Sequence, residues 1–378
     1  MTTMFLSTQL SVLSQPLNHQ QVAEAIEMLD RKTPVSLVYN ERVQAYIDVY
    51  TIQRKDHLAE IIGRAELYFP LFEEYLDKYG LPQELKYMAV VESALDPMAQ
   101  SSSGARGLWQ FLYQASRLFN LRVDSYVDER CDPVKSTDAA CRYLKYLYDN
   151  FQDWNLVMAA YNGGIAVVSD AVERAGGVHD FWAIRSFLPA ETQGYIPAFI
   201  AVNFAMNYYM HYDIIPKKQS FNYDDLGFVF LEKSVSMQQL SSLIDVPVET
   251  LMALNPLYTK SFIPVVKEPV QIVIPREKVL LFLRHRTLLE PENQPPVSVR
   301  PIGFTGNREK VMHKVKPGEF FHKVAMQYNV RVEDVQKWNN LTTRHLEAGQ
   351  ILVIYREKER ADTFLADDWI GKVNQQTN

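Results

Sequence analysis

A glutamate standing where a helical pattern calls for an apolar side chain is the residue of this sequence best placed to do chemistry. Leu85, Met88, Ala89 and Glu92 fall at i, i+3, i+4 and i+7, the spacing of one buried helix face. Pro82 occupies a first-turn position, where a missing N–H costs nothing. Asp96-Pro97 closes the segment, because a residue before proline is pushed out of the α region. A carboxylate on such a face is costly unless it is paired or protonated. One reading makes Glu92 half of a structural ion pair with a nearby Lys or Arg. The other makes it a general acid, with desolvation raising its pKa towards neutrality. Helix position alone does not choose between them.

The stretch that follows is built to come close to a ligand. Ser101-Ser102-Ser103-Gly104-Ala105-Arg106-Gly107 leads into Leu108-Trp109-Gln110-Phe111. Small residues and glycines admit close backbone approach and φ > 0. Trp109 offers a flat apolar face, and Gln110 an amide with two donors and an acceptor. An acid, a glycine-lined wall, an indole and an amide suit a sugar-binding cleft. Each alone is as well explained by packing.

Taken together, the string ES(x)8S(x)2GAxGLWQF resembles the catalytic signature of the family 23 lytic transglycosylases, which share the goose-type lysozyme fold. Three further blocks of that family recur in order: DERCDPVKSTDAACRYL at 128–144, DWNLVMAAYNGG at 153–164 and ETQGYIPAFIA at 191–201. The resemblance is nearest to members with C-terminal LysM modules, and it implies an α+β chain: a mainly helical lysozyme-like domain followed by small βααβ modules. It implies peptidoglycan glycan strands as substrate, cut between N-acetylmuramic acid and N-acetylglucosamine. Glu92 becomes the general acid, then the base on the muramic C6 hydroxyl that attacks its own C1. Ser101 and Gln110 match positions that contact the sugar or orient Glu92. Tyr161 becomes a hydroxyl partner for Glu92 or the sugar, Asn162 a sugar contact and Tyr195 a cleft-lining residue. Glu191 is expected to order its loop or cap its helix.

Two rivals stand beside that implication. A glycosidase that uses water needs a second carboxylate. Asp96, expected one turn from Glu92 on the same helix and standing where the family more often has Asn, keeps a hydrolytic muramidase open. A non-catalytic wall-binding scaffold is the other. The intact Glu92-Ser93 pair and the GLWQF and AAYNGG blocks speak against it.

The elements that must position these residues follow from the rest of the chain. Its 378 residues, 47% hydrophobic and 12% aromatic, suffice for two or three cored domains. Residues 1–18 read as a flexible start or signal remnant. Residues 19–79 read as helices packed on the catalytic unit, with stripes at Val22, Ala25, Ile26 and Leu29 and at Val43, Ile47 and Tyr50, and with Pro70 as a break or kink. The catalytic domain is expected over 80–215. It contains a short helix from Gln114, an ion-pair cluster Asp128-Glu129-Arg130 at a surface or helix cap, a helix capped by Ser136 or Thr137, a helix from Trp154 to Tyr161 and a final helix from Ile196. Residues 310–356 resemble a LysM module, which binds N-acetylglucosamine-containing glycans. Residues 220–282 resemble a degenerate one, with KSVSM in place of the glycine turn. Residues 283–309 form a proline-rich linker, and 357–378 a polar tail.

Composition narrows the partners. The net charge of −6 carries no basic footprint for nucleic acid, and no apolar run reaches the roughly 18 residues of a membrane helix. Cys131 and Cys141 leave a disulfide open without requiring one. No metal cluster, phosphate loop or catalytic triad is visible, so no cofactor is expected. The substrate implies a periplasmic or cell-envelope location, although no export signal is evident. No motif fixes an oligomeric state.

Overall fold

The structure, a computed structural model, describes residues 16–292 and 308–357, apart from 317, 318, 320, 329, 331 and 342–345. The N-terminal segment 1–14, the centre of the linker, the Pro317-Gly318 turn and the tail beyond 357 lie outside the described residues.

Among the described residues, ten α-helices make up the first body. They are α1 (His19–Asp30), α2 (Glu41–Asp48), α3 (Lys55–Tyr79), α4 (Lys86–Ser93), α5 (Tyr113–Leu118), α6 (Pro133–Phe151), α7 (Trp154–Gly163), α8 (Ile165–Arg174), α9 (Phe181–Ile184) and α10 (Ala190–Tyr208). Asn18 and Asn40 cap α1 and α2 through their side-chain oxygens, satisfying N–H groups that a helix start leaves unpaired. Apolar faces from all parts of this stretch meet in one core that runs from Val22 to Ile214. Residues 19–79 are therefore built into the body: α2 lies along α10, and α3 along α6. The almost wholly apolar α10 is buried on every side over Tyr195–Ala205.

One local expectation is corrected, the cap of α6, and two left open are narrowed. Helix α3 runs unbroken through Pro70. The lost hydrogen bond costs about 3 kcal/mol, which burial of Tyr68, Leu71, Phe72 and Leu76 outweighs at ~1.5–3 kcal/mol each. The cap of α6 is Asp132, whose side chain accepts from the N–H groups of Val134 and Lys135. Ser136 and Thr137 instead donate back to the carbonyls of Asp132 and Pro133, because Pro133 already fixes the first turn. The two cysteines are free, and both are buried.

Two βααβ modules follow. In the first, β1 (Leu226–Leu231) pairs antiparallel with β4 (Val270–Pro275), from Leu226 opposite Pro275 to Leu231 opposite Val270. Helices α11 (Met237–Ile244) and α12 (Val248–Leu254) cover the face bearing Val229, Leu231, Ile272 and Ile274. Where a glycine turn was missing, β2 (Val235–Ser236) pairs with β3 (Phe262–Ile263) and Ser236 caps α11. Helix α13 (Val279–His285) adds Phe282 to the same core. In the second module β5 (Arg308–Lys314) pairs with β6 (Ile351–Glu357), with α14 (Phe321–Gln327) and α15 (Val332–Trp338) between them in sequence.

One asparagine does the same work in both modules. Asn255, after α12, donates to the carbonyls of Leu251 and Val273 and accepts from the N–H of Val273. Asn339, after α15, does so with Val335 and Val353. Each ties the end of the second helix to the last strand, so the modules share a frame where their sequences have drifted apart.

The first module is joined to the helical body. Tyr126 and Val127, from the segment between α5 and α6, lie in the module's core. Asp128 N–H donates to the Leu257 carbonyl at 2.8 Å, and Thr259 N–H to the Tyr126 carbonyl at 2.9 Å.

Candidate active site

Helix α4 carries Glu92 in its last turn, and the helix ends at Ser93 because Ala94 and Leu95 adopt left-handed backbone, φ 52° and 60°. Leu85, Met88 and Ala89 are fully buried, as their spacing requires, while Glu92 keeps partial exposure. The hydroxyl of Tyr195, on α10, donates to Glu92 Oε1 at 2.7 Å. Among the described residues no Lys, Arg or His acts on Glu92, so the ion-pair reading does not hold. Burial pushes its carboxyl up to about 8, the Tyr195 hydrogen bond pulls it partly back, and the charge of Glu191 pushes it further up. Burial first, then the neighbouring Glu92, hold the Tyr195 and Tyr161 hydroxyls well above the usual tyrosine range. A carboxylic acid protonated at neutral pH thus faces two neutral phenols.

Asp96 does not share the helix with Glu92. With α4 ended at Ser93, its carboxylate turns to its own chain and accepts from Met98 N–H at 2.8 Å. The acid whose charge reaches Glu92 is Glu191, in the first turn of α10. Asn162, at the end of α7, donates to Glu191 at 3.1 Å and accepts from Thr192 at 2.9 Å. These bonds fix the start of α10, and thereby Tyr195 one turn on. Period and helix ends alone do not reveal Glu191 as this second acid.

Trp109 is not a sugar platform. It is completely buried, packs on Phe72 with ring centroids 5.0 Å apart, and donates from Nε1 to Thr137 Oγ1 at 2.9 Å. Its carbonyl accepts the Tyr161 hydroxyl at 2.8 Å. That hydroxyl therefore bonds to backbone, and Tyr195 alone of the two tyrosines bonds Glu92. Ser93 Oγ donates to the carbonyls of Ala89 and Leu108, fastening α4 to the wall.

The wall is a set of tight turns. Gln110, itself left-handed at φ 48°, donates from Nε2 to the carbonyls of Gly107 and Ala99. Ser101 Oγ accepts from Ala105 N–H and pairs with Ser103 Oγ. Arg106 and Phe111 exchange backbone hydrogen bonds of 3.1 Å. Gly107 has φ 83°, and a Cβ there would lie 1.9 Å from the Arg130 carbonyl. Its glycine is demanded by that backbone crossing rather than by a ligand.

Asp128, Glu129 and Arg130 are buried, contrary to the expected surface or capping cluster. Arg130 holds Asp128 in a two-point pair, Nε to Oδ1 at 2.9 Å and Nη2 to Oδ2 at 2.8 Å. Its Nη1 donates to the carbonyls of Gly104 and Phe111, spanning the wall. Such fork geometry is what arginine supplies and lysine does not. A separate groove of about 390 Å³ between α3 and the first βααβ module, lined by Tyr68, Phe228, Phe230 and Tyr258 among others, contains none of the expected site residues.

Family comparisons take in three of the four blocks, the one at 191–201 falling outside them. Residues 70–181 match the Transglycosylase SLT domain, 228–284 the lytic transglycosylase MltD, LysM-like domain, and 313–354 the LysM domain. The chain is a lytic transglycosylase with LysM modules. Membrane-bound lytic murein transglycosylase D of Escherichia coli strain K12 is 28% identical over 320 residues, covering 83% of this chain and 69% of that one. Membrane-bound lytic murein transglycosylase F of Desulfosudis oleivorans is 26% identical over 196 residues, 46% of this chain and 41% of that one. Among solved structures, the 70 kDa soluble lytic transglycosylase of Escherichia coli matches at 27% identity with TM-score 0.32, over 39% of this chain and 25% of that one. This chain thus spans about a quarter of that transglycosylase's length. The SLT match ends before α10, the helix that carries Tyr195 and Glu191.

Proposed function

We propose that this lytic transglycosylase cuts peptidoglycan glycan strands between N-acetylmuramic acid and N-acetylglucosamine and leaves 1,6-anhydro-muramic ends. The observation that carries the reading is a carboxyl in the last turn of α4, held up to about 8 and bonded to a neutral tyrosine. Glu92 gives its proton to the glycosidic oxygen as the bond to C1 breaks. The resulting carboxylate then takes the proton of the C6 hydroxyl as that oxygen bonds to C1. The proton count closes on Glu92 and no water enters. Hydrolysis requires a second carboxylate to activate water or attack C1. Asp96 is committed to backbone, and Glu191 accepts from Asn162.

Tyr195 orients the Glu92 carboxyl. Tyr161 sets the cleft edge through the Trp109 carbonyl. Ser101 and Gln110 keep the turns of the wall through their own side-chain bonds, and Asn162 holds the start of α10, each beside the sugar. The C-terminal LysM module, 310–356, tethers the enzyme to wall glycan. A wall substrate places the protein in the cell envelope, in keeping with relatives named as membrane-bound murein enzymes.

The test is mass spectrometry of purified peptidoglycan digested with the enzyme and with Glu92→Gln. Muropeptides lighter by one water, absent from the variant digest, are expected. Reducing ends in their place overturn the transglycosylase reading and point to Glu191 as the partner acid of a hydrolase. Binding to the wall without release of any fragment leaves a scaffold.

A further inference from the structure

The LysM-like module is bonded to the same segment that supports the catalytic wall. Tyr126 is buried in the module's core, edge-on to Phe262 with centroids 5.5 Å apart and under the Lys260 ammonium. Val127 bridges Tyr258. Two backbone bonds, Asp128 to Leu257 and Thr259 to Tyr126, are joined by Thr259 Oγ1 donating to the Ser125 carbonyl at 2.9 Å. The bonded residue Asp128 is also the buried partner of Arg130, whose third nitrogen holds both ends of the 104–111 wall. From that wall, Leu108 receives Ser93 and Trp109 receives Tyr161. A continuous run of hydrogen bonds and packed rings thus leads from the module to the residue beside Glu92.

We propose that the LysM-like module is a structural part of the catalytic unit, and that Tyr126 and Arg130 are positioning residues through which it sets the wall against Glu92. The inference rests on the transglycosylase reading and adds a role for a module whose glycine turn has been lost. Asp128 fixes the guanidinium with which Arg130 holds Gly104 and Phe111, and Asp128 is held in turn by its N–H bond to the Leu257 carbonyl beside the Val127–Tyr258 bridge. Wall glycan is not needed for this role. The module acts on every turnover, with short soluble substrates as well as with intact sacculi.

The experiment uses the full chain and a short soluble glycan. Tyr126→Ala removes the ring that anchors the segment, Tyr126→Phe keeps it, and Arg130→Lys keeps the charge but not the fork. Initial rates are taken well below each variant's melting temperature, with circular dichroism confirming the fold. Tyr126→Ala and Arg130→Lys are expected to lower kcat by about 10- to 100-fold, the scale of an ångström's misplacement, while Tyr126→Phe stays near wild type. Full kcat in Tyr126→Ala with only a lowered melting temperature overturns the inference. Should Tyr126→Ala fail to fold, full kcat in Arg130→Lys overturns it equally. An inactive wild type overturns the transglycosylase reading itself, an outcome distinct from either.

Discussion

Replacing Glu92 by Gln should stabilise the fold at alkaline pH and leave it unchanged at acid pH. The carboxyl goes from an ordinary value of 4.5 to about 8 in the native state, chiefly through burial. Between those two values the native state keeps a proton that the unfolded chain has released. Stability therefore falls as pH rises through this window and levels off above 8, at about 1.4 kcal/mol per pH unit within it. A neutral amide has no such slope. From pH 5 to pH 8 the ceiling on the difference is about 4 kcal/mol, and solvent at the part-exposed carboxyl screens some of it, leaving ~2–4 kcal/mol. The assay is urea unfolding followed by tryptophan fluorescence, on wild type and Glu92→Gln at half-unit steps of pH. Parallel stability curves across the window would refute a protonated Glu92, and with it the general acid. Wild-type activity should fall through about pH 8 as that proton is lost.

Other outcomes follow from neighbouring contacts. Tyr195→Phe removes the bond that pulls the Glu92 carboxyl down, so the alkaline limb of the rate profile should move upward while kcat drops by ~10-fold or more. Trp109→Phe leaves Thr137 without its indole donor and should cost about 1–3 kcal/mol in unfolding free energy, with KM unchanged because the ring meets no sugar. Gly107→Ala meets the Arg130 carbonyl at 1.9 Å in a left-handed backbone, and soluble yield should collapse relative to Gly104→Ala, where the added carbon meets nothing. Burial raises the Cys131 and Cys141 thiols to about 11 and about 12. Ellman's reagent at pH 8 should find both silent until denaturant is added.

The helical period was enough to find Glu92, because a charged member of an apolar stripe is visible without a structure. It also found the faces of α1 and α2, whose stripe residues Val22, Ala25, Ile26, Val43, Ile47 and Tyr50 are buried in one core. What the period could not show was where α4 stops. A proline at position 97 predicts an end near Asp96, yet Ala94 and Leu95 turn the chain left-handed earlier, and neither residue type announces that. The same error attached Asp96 to the site. The Asp128-Glu129-Arg130 cluster was misplaced, because an acidic–basic triplet looks the same in sequence at a surface or in a core, and Trp109, left open between cleft and packing, is packed. The LysM-like module was legible only faintly, since its strands pair through a second small ladder where a glycine turn was expected. Asn255, unremarked in sequence, carries the clearest kinship with the later module.

The left-handed pair that ends α4 has an electrical consequence. Backbone carbonyls at a helix C-terminus sum to a partial negative charge, which disfavours an anion in the last turn. A helix continued to Asp96 would have put Glu92 a turn further from that pole. Stopped at Ser93, with Arg64 Nη1 donating to the Ala94 carbonyl beyond it, the helix presents Glu92 to its own negative end. Two non-glycine residues in left-handed backbone cost on the order of 1–3 kcal/mol each, and burial of Ala94 and Leu95 offsets it. The strain stored one residue after Ser93 thus helps keep the proton on the acid that precedes it.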